Sequence, residues 1–374
     1  MDVQVRQATL EDQERIGQFL QVAYQDRAQF KFPARWLWEY VDNPFWDGDG
    51  LPIWLAEADG KIVGQTCEMM VPLKLGDNIY RAAWGVDFIV LPEYRRRGIG
   101  QLLQQAQIGY HDIFMVLTMS PISRQVLVSQ GFAEIDTVAE LGKTMRFDSD
   151  DALGVVDAKL GRGNALARMC RRLRLGGLVA PVLSSLARLR DARRLRARDR
   201  GLVIEQVERF GDEIDQLWDQ LASRFSAIVP RDAAYLNWKF VEQPHVRYER
   251  FVVRQAGAVC GYVITRVGIP PEPNIGIIAD VFAAPDDDVL PALLVHATKH
   301  LRRAGVKAIL SASSLPSYVA HFLRLGFKET RRMVPMFHCQ ETIDPGMTGA
   351  PQKWFLSMGD HDWDQYPQSV VEQG

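Results

Sequence analysis

Val90-Leu91-Pro92-Glu93-Tyr94-Arg95-Arg96-Arg97-Gly98-Ile99-Gly100 joins an apolar run to a stretch with helical spacing. Upstream, residues 83–91 read as a buried strand. Downstream, Ile99, Leu102, Leu103 and Ala106 fall on one helical face. Arg95-x-x-Gly98-x-Gly100 therefore marks a strand-to-helix junction. The first amides of a helix have no partner inside it, and with the helix dipole they favour an anion. Gly98 and Gly100 let an anion approach the backbone closely, and three arginines add positive charge. A pyrophosphate suits this chemistry. The three-glycine dinucleotide fingerprint and the lysine-serine ending of an NTPase loop are both absent. A basic, exposed helix start is the plainer alternative.

Working outward, the chain repeats itself. Residues 34–44 read A-R-W-L-W-E-Y-V-D-N-P and residues 234–244 read A-Y-L-N-W-K-F-V-E-Q-P, so Ala34, Trp38, Val41 and Pro44 recur as Ala234, Trp238, Val241 and Pro244. Gly60 and Gly64 recur as Gly257 and Gly261. Asp87 and Pro92 recur as Asp280 and Pro285. Pro121, Gly131 and Phe132 recur as Pro316, Gly326 and Phe327. The offset stays between 193 and 200 and the order is kept, which predicts two copies of one domain with small insertions. A chain of 374 residues has room for both.

Each copy mixes strands and helices. Thr9-Leu10-Glu11-Asp12 reads as a helix start, with Thr9 as N-cap and an acid three residues later; Ile16, Phe19, Leu20 and Ala23 then share a face. Asp59-Gly60, between residues 53–58 and 61–71, predicts a hairpin turn. Residues 113–119 read as a strand and 122–130 as a helix, and Gly131-Phe132 opens the last strands. The predicted order is β-α-α-β-β-β-α-β-α-β-β, an α/β arrangement.

Composition narrows the function. With 47% hydrophobic and 24% charged residues, the chain is neither disordered, nor collagenous, nor a small disulfide scaffold. A net charge of −2 gives no overall pull toward nucleic acid or membrane. Cys67, Cys170, Cys260 and Cys339 form no CxxC, so no metal is expected. Neither a signal-peptide core nor an 18-residue apolar run is seen, and the expected address is the cytoplasm. Residues 157–200 differ from the rest: they carry a net charge of +10, with Leu, Ala and Val at near-helical spacing. Two short basic amphipathic helices are expected there.

Val90-x-Pro92-x-x-Arg95-Arg96-x-Gly98-Ile99-Gly100, after a strand and before an amphipathic helix, resembles the acetyl-CoA motif of the GNAT superfamily of N-acetyltransferases. Val5-Arg6-Gln7-Ala8-Thr9 before a helix, and the helix leading to Gly131-Phe132, resemble that family's opening and later segments. The resemblance covers about residues 1–145 and, more weakly, 202–340. It implies two GNAT-like domains, each a mixed, mostly antiparallel splayed sheet flanked by helices. The expected division is 1–148 for the acetyl-CoA domain, 149–201 for a basic helical insert, 202–345 for a degenerate second domain, and 346–374 for a tail with a terminal strand and an acidic end.

The resemblance also implies roles. The amides of Arg96, Arg97, Gly98, Ile99 and Gly100, with Arg95, would hold the CoA pyrophosphate. The backbone of Phe88, Ile89 and Val90 would pair with the pantetheine arm, and an amide at Ile89 or Val90 would polarise the thioester carbonyl. An amine would attack the thioester directly. The second copy departs from this pattern: Arg95, Gly98 and Gly100 become Asp288, Pro291 and Leu293, and Asp286-Asp287-Asp288 would repel a pyrophosphate.

No general base stands out. The strand positions where the family carries a Glu or His hold Trp84 and Val86. The helix position for a Tyr holds Leu127, with Phe322 in copy two, and the Asn before that helix is replaced by Ser120. Asp87 is one catalytic candidate, provided a bulge turns it from the face that alternation assigns; its repetition as Asp280 favours a structural role. Glu68, on the neighbouring strand, is the other candidate, with an exposed edge position as its alternative. Trp36 and Trp84 are the candidate substrate-binding residues, Trp36 because the repeat changes it to Leu236. Asp360, Asp362 and Asp364 lack the Gly and Glu of a calcium loop and read as a solvated acidic end or an acidic lid over the site.

The resulting expectation is an acyl-CoA-dependent N-acetyltransferase acting on a small-molecule amine, amino sugars included. Two other readings stand beside it. One is a non-catalytic CoA-binding module. The other is an acyltransferase served by an acyl carrier protein, with the basic insert as dock for it or for another anionic surface. Nucleic acid is not an expected partner, and an oligomer is compatible with the sequence.

Overall fold

Asp59 and Gly60 both take positive φ, 50° and 73°, and Ala256 and Gly257 repeat this at 50° and 90°. That backbone matches the twist of paired strands, so the same hairpin forms in both copies. The computed structural model describes residues 2–108, 111–119, 121–135, 137–161, 164–195, 201–269, 271–284, 288–340, 343 and 354–366.

The first copy contributes β1 (Val3–Gln7), β2 (Ile53–Ala58), β3 (Lys61–Leu75), β4 (Asn78–Val90), β5 (Ile113–Val116), β6 (Ala133–Glu134) and β7 (Val138–Thr144). Then follow β8 (Leu202–Val207), β9 (Ala227–Ile228), β10 (Tyr248–Gln255), β11 (Ala258–Arg266), β12 (Ile275–Ala283), β13 (Ala308–Ser313), β14 (Lys328–Met333), β15 (Met336–Cys339) and β16 (Trp354–Phe355). The α-helices are α1 (Gln13–Tyr24), α2 (Ala34–Trp36), α3 (Ile99–Gln107), α4 (Pro121–Ser129), α5 (Ser149–Leu160), α6 (Ala165–Arg172), α7 (Gly176–Arg194), α8 (Asp212–Leu221), α9 (Ala233–Asn237), α10 (Val289–Arg303) and α11 (Pro316–Arg324). In the first copy the element order is the one the sequence predicts. The strand expected over 113–119 stops at Val116.

Two compact units result, each assembled from separated stretches: Met1–Val138 with Glu208–Val246 and Arg332–Gly374, and Ala139–Val207 with Arg247–Arg331. In the first unit the sheet runs β1-β2-β3-β4-β5-β15-β6, with β9 beside β3 and β16 beside β9. Most neighbours are antiparallel; β4 and β5 are parallel. On one face α3 lays Ile99 and Leu103 on Trp54, Ala56, Ala58, Val63 and Val90. Each large apolar side chain buried this way contributes about 1.5–3 kcal/mol. A second cluster joins Met70, Ala83, Phe114, Leu127 and Phe132 to Met336 of β15.

The repeated segments meet in this unit. Trp38 and Trp238 stack with centroids 4.7 Å apart, and Trp38 Nε1 donates to the Trp238 carbonyl at 3.1 Å. Each segment runs into a π-helical turn, Leu37–Val41 and Trp238–Glu242. Equivalent residues touching one another is the signature of a local two-fold relation. Core packing thus accounts for the tryptophan that recurs in the repeat.

The described part of the tail, residues 354–366, is almost wholly buried rather than solvated. β16 pairs in parallel with β9, and Trp354 and Phe355 are buried. Asp360, Asp362 and Asp364 are buried as well. Asp360 accepts from Arg231 at 2.7 Å and Asp362 from Arg35 at 2.8 Å. Carboxylates matched by guanidinium groups lose the reason to stay in water.

In the second unit the sheet runs β14-β7-β13-β12-β11-β10-β8, with β12 and β13 parallel. β12 is almost wholly buried, and α10 packs Leu290, Leu293, Leu294 and Leu301 inward. The final strands have changed places: β7 from the first copy lies between β13 and β14, as β15 from the second lies between β5 and β6. Among the described residues of 157–200, α6 and α7 are the two helices expected there, and the acidic α5 precedes them. Arg162, Arg196, Arg198 and Arg200 lie outside the described residues.

Candidate functional site

The junction after β4 opens on a cavity of about 460 Å³ lined by Tyr24, Arg27, Phe88, Ile89, Val90, Tyr94, Arg95, Arg96, Gly98, Ile99 and Gly100. Eight of the nine residues expected to hold a cofactor lie on its wall. Arg97 does not; its guanidinium sits over the Tyr94 ring at 5.6 Å.

Local chemistry builds this wall. Gly98 caps α3 in the left-handed conformation, φ 78°, and Arg96 is also left-handed at 61°. Alternating hand turns successive amides to one side and forms an anion-binding concavity. A Cβ on Gly98 would meet nothing within 4 Å, so the glycine is there for its backbone angle. Arg95 Nε donates to the Val90 carbonyl at 2.9 Å, which fixes its guanidinium at the cavity edge.

β4 is irregular where the site begins. It pairs with β5 at Ala82, Ala83 and Trp84, and beyond Trp84 its edge on that side has no ladder partner among the described residues. On its other side Gln65 pairs with Ile89 and Cys67 with Val86, so three steps of β4 oppose two of β3. The extra residue forms a bulge at Asp87 and Phe88, with Asp87 at φ 51°.

Asp87 is engaged rather than open. Lys31 Nζ donates to Oδ1, Tyr40 Oη donates to Oδ2 at 3.1 Å, and Arg35 Nη1 approaches Oδ2 at 3.5 Å. Lys31 Nζ also donates to Tyr366 Oη at 3.1 Å and lies over the Tyr24 and Tyr366 rings. Burial is the largest single influence and opposes its charge, but Asp87, with Tyr24 and Asp362, together overcome it and raise the pKa. Arg35 donates to Glu39 at 2.9 Å and Asp362 at 2.8 Å. Glu39 is pushed up to about 7 by burial, against the pull of Arg35. This is a matched buried ion network, and it holds the bulge.

Glu68 belongs elsewhere. It is fully buried, not on an exposed edge, with Oε1 3.3 Å from His111 Nδ1. Burial raises its pKa, and His111 and Gln107 of α3 oppose that rise. It shares no partner with the Asp87 network. Trp36 and Trp84 are also fully buried, and neither lines the cavity. Trp36 packs near Phe32 and Tyr40, and Trp84 meets the edge of His361 at 5.5 Å. Leu127 and Phe322 are buried in their cores. Ser120 lies outside the described residues.

In the second copy Asp280 accepts from Tyr262 Oη at 2.7 Å and is buried. Ala283, at the offset of Val90, is occupied: its amide donates to Tyr318 Oη at 3.2 Å, and its carbonyl accepts from the same hydroxyl. One tyrosine thus occupies both backbone polar groups of Ala283. Leu293 is fully buried. Asp286 and Asp287 lie outside the described residues.

Sequence reasoning missed Tyr24, Arg27, Lys31, Arg35 and Tyr366. Lys31 and Arg35 did carry a signal, since each is a lone cation among aromatics in Phe30-Lys31-Phe32-Pro33-Ala34-Arg35-Trp36. A cation in such a setting needs a buried carboxylate.

Residues 4–116 match a family described as an acetyltransferase (GNAT) domain. No curated protein matches the chain. Among solved structures, a GCN5-related N-acetyltransferase from Anabaena variabilis is similar with a TM-score of 0.59 and 12% identity, over 90% of this chain and 73% of that one. Saccharomyces cerevisiae N-myristoyltransferase with bound myristoyl-CoA is similar at 0.53 and 12% identity, over 90% and 82%. A tandem GNAT protein from the clavulanic acid biosynthesis pathway is similar at 0.52 and 14% identity, over 90% and 98%. At these identities the likeness is one of fold.

Proposed function

The chain carries a GNAT acetyltransferase domain over residues 4–116 within a tandem GNAT fold, and on that premise we propose that it transfers an acetyl group from acetyl-CoA to the amine of a small molecule. The observation that supports this reading is the cavity at Phe88–Gly100, whose wall includes eight of the nine residues expected to hold the cofactor. The amides from Arg96 to Gly100 hold the pyrophosphate, with Arg95, Arg96 and Arg27 adding charge. The edge of β4 from Phe88 to Val90, which has no neighbouring strand among the described residues, takes the pantetheine arm as an added strand. Copy two keeps the fold without the cofactor, because Tyr318 occupies the equivalent edge.

The reaction needs little covalent chemistry from the protein. The amine nitrogen attacks the thioester carbon, an amide at Ile89 or Val90 stabilises the oxyanion, and the carbon–sulfur bond breaks. The nitrogen gives up its proton to water, and water returns a proton to the departing sulfur, so CoA leaves as the thiol. Asp87 acts here as a positioning residue, since Lys31, Arg35 and Tyr40 engage it while it holds the bulge. Trp36 and Trp84 are core residues behind the site and do not contact the acceptor, and amino sugars are one class of acceptor amine.

The engagement of Asp87 also favours a second reading, CoA binding without transfer. Incubation with acetyl-CoA and a panel of amines, followed by free-thiol detection, separates the two. Amine-dependent thiol release supports transfer. Stoichiometric CoA binding with no release for any amine supports the binding module, and no binding at all overturns both.

A further inference from the structure

In α7 the usual amphipathic order is inverted. Its buried residues are Gly176, Ala180, Ser184 and Asp191. A Cβ on Gly176 would sit 2.3 Å from the Ser149 carbonyl oxygen at the start of α5, so this face must be small to pack at all. Its large apolar residues point outward: Leu178 is 73% exposed, Val182 58%, Leu186 45% and Leu189 66%. Spacings of four, four and three put these on one stripe, and at roughly 100° per residue that stripe lies opposite the packed face. α6 repeats the pattern, with Ala167 buried and Leu166 and Met169 exposed, and Leu173 continues it just beyond the helix. Water-facing leucines in such number mark a surface that something covers.

Charge says what covers it. Arg168, Arg172, Arg174, Arg188, Arg190, Arg193 and Arg194 are all exposed, while Arg171 pairs with Asp157 of α5 at 3.2 Å. Across residues 164–195 the one acid is Asp191. It is buried and turned to Lys143 and Arg302, so it does not offset the outer arginines. A nucleic acid would satisfy the arginines and leave the leucine stripe in water. An anionic lipid surface satisfies both, with headgroups for the arginines and the acyl boundary for the leucines. No helix among the described residues is long and apolar enough to cross a membrane, so the fit is to its surface.

We propose that α6 and α7 form a docking face for an anionic lipid bilayer, with the 178–182–186–189 stripe inserted and the surrounding arginines at the headgroups. The reading is independent of the acetyl-CoA site.

The test is co-sedimentation of the full chain with vesicles of equal parts phosphatidylglycerol and phosphatidylcholine, and with phosphatidylcholine alone. Binding is expected to the first and not the second. Arg190→Gln/Arg193→Gln should weaken it roughly thirtyfold. Leu178→Gln/Leu189→Gln should weaken it at least about tenfold. Both leucines are exposed, so the second variant should keep the wild-type melting temperature, which separates lost docking from lost folding. Failure to sediment with anionic vesicles at low salt overturns the proposal and leaves an acidic protein partner for this face. Sedimentation that the leucine variant leaves unchanged also overturns it, because adsorption by charge alone needs no inserted stripe.

Discussion

Replacing Gly98 by Trp probes the cofactor reading at one atom's remove from the backbone that performs it. Gly98 is left-handed at φ 78°, and a Cβ there meets nothing within 4 Å. Any L-residue at this angle costs about 1–2 kcal/mol of folding stability. Alanine adds that strain and nothing else. Tryptophan adds the same strain and projects an indole toward a cavity of about 460 Å³. A pyrophosphate held by backbone amides gains about 1.5–3 kcal/mol per charge-assisted hydrogen bond. Losing two of them costs about 3 kcal/mol or more, on the order of a hundredfold in Kd. Calorimetric titration with acetyl-CoA should therefore give one site per chain for wild type, nearly unchanged affinity for Gly98→Ala, and no measurable binding for Gly98→Trp. Wild-type affinity in Gly98→Trp would refute the placement of the cofactor. Two sites per wild-type chain would refute the exclusion of copy two.

Further predictions follow from the buried groups around the site. Burial, with the nearby charges of Arg35 and Lys239, pushes the His245 imidazole down to about 3. The unfolded chain takes up this proton near pH 6.5 and the folded protein does not, so stability falls as pH drops from 6.5 toward 3. By pH 5 the loss is on the order of 2 kcal/mol, and His245→Gln should flatten it in urea titrations at pH 7 and 5. Asp87→Asn retains a residue that tolerates positive φ but leaves Lys31 and Arg35 short of a carboxylate; chemical denaturation should show a loss of about 3 kcal/mol. Trp238→Ala should cost about 3–5 kcal/mol. A double-mutant cycle with Trp38→Ala should return a coupling of about 0.5–1.5 kcal/mol for the stacked pair, and strict additivity would deny that the stack contributes.

The cofactor side of the site was legible from sequence because its parts are contiguous. The chain from Phe88 to Gly100 makes the bulge, the turn and the helix cap out of neighbouring residues, and each has local chemistry that a reader can recognise. Tyr24 and Arg27 reach the same cavity from more than 60 residues away, and no periodicity points there. Alternation alone turned Asp87 from the face of Trp84 and Val86; the bulge made its burial against Lys31 and Arg35 possible. Glu68 read equally well as substrate-facing or edge-exposed, because burial by α3 is not written in the strand that carries it.

The sequence by itself determined the two copies, the hairpin at Asp59-Gly60, the glycine-capped helix and the order of elements, because turn angles, caps and hydrophobic period are properties of short stretches. Only the tertiary structure decided which sheet each final strand joins, since β7 and β15 pair by backbone hydrogen bonds that any strand of suitable pattern can make. It decided that Asp360, Asp362 and Asp364 are buried, because a carboxylate's preference for water is overturned only by cations such as Arg231 and Arg35 arriving from distant parts of the chain. It also decided that the leucines of α7 face outward: a helical stripe records that one side is apolar, while the small residues that must pack against α5 fix which side that is.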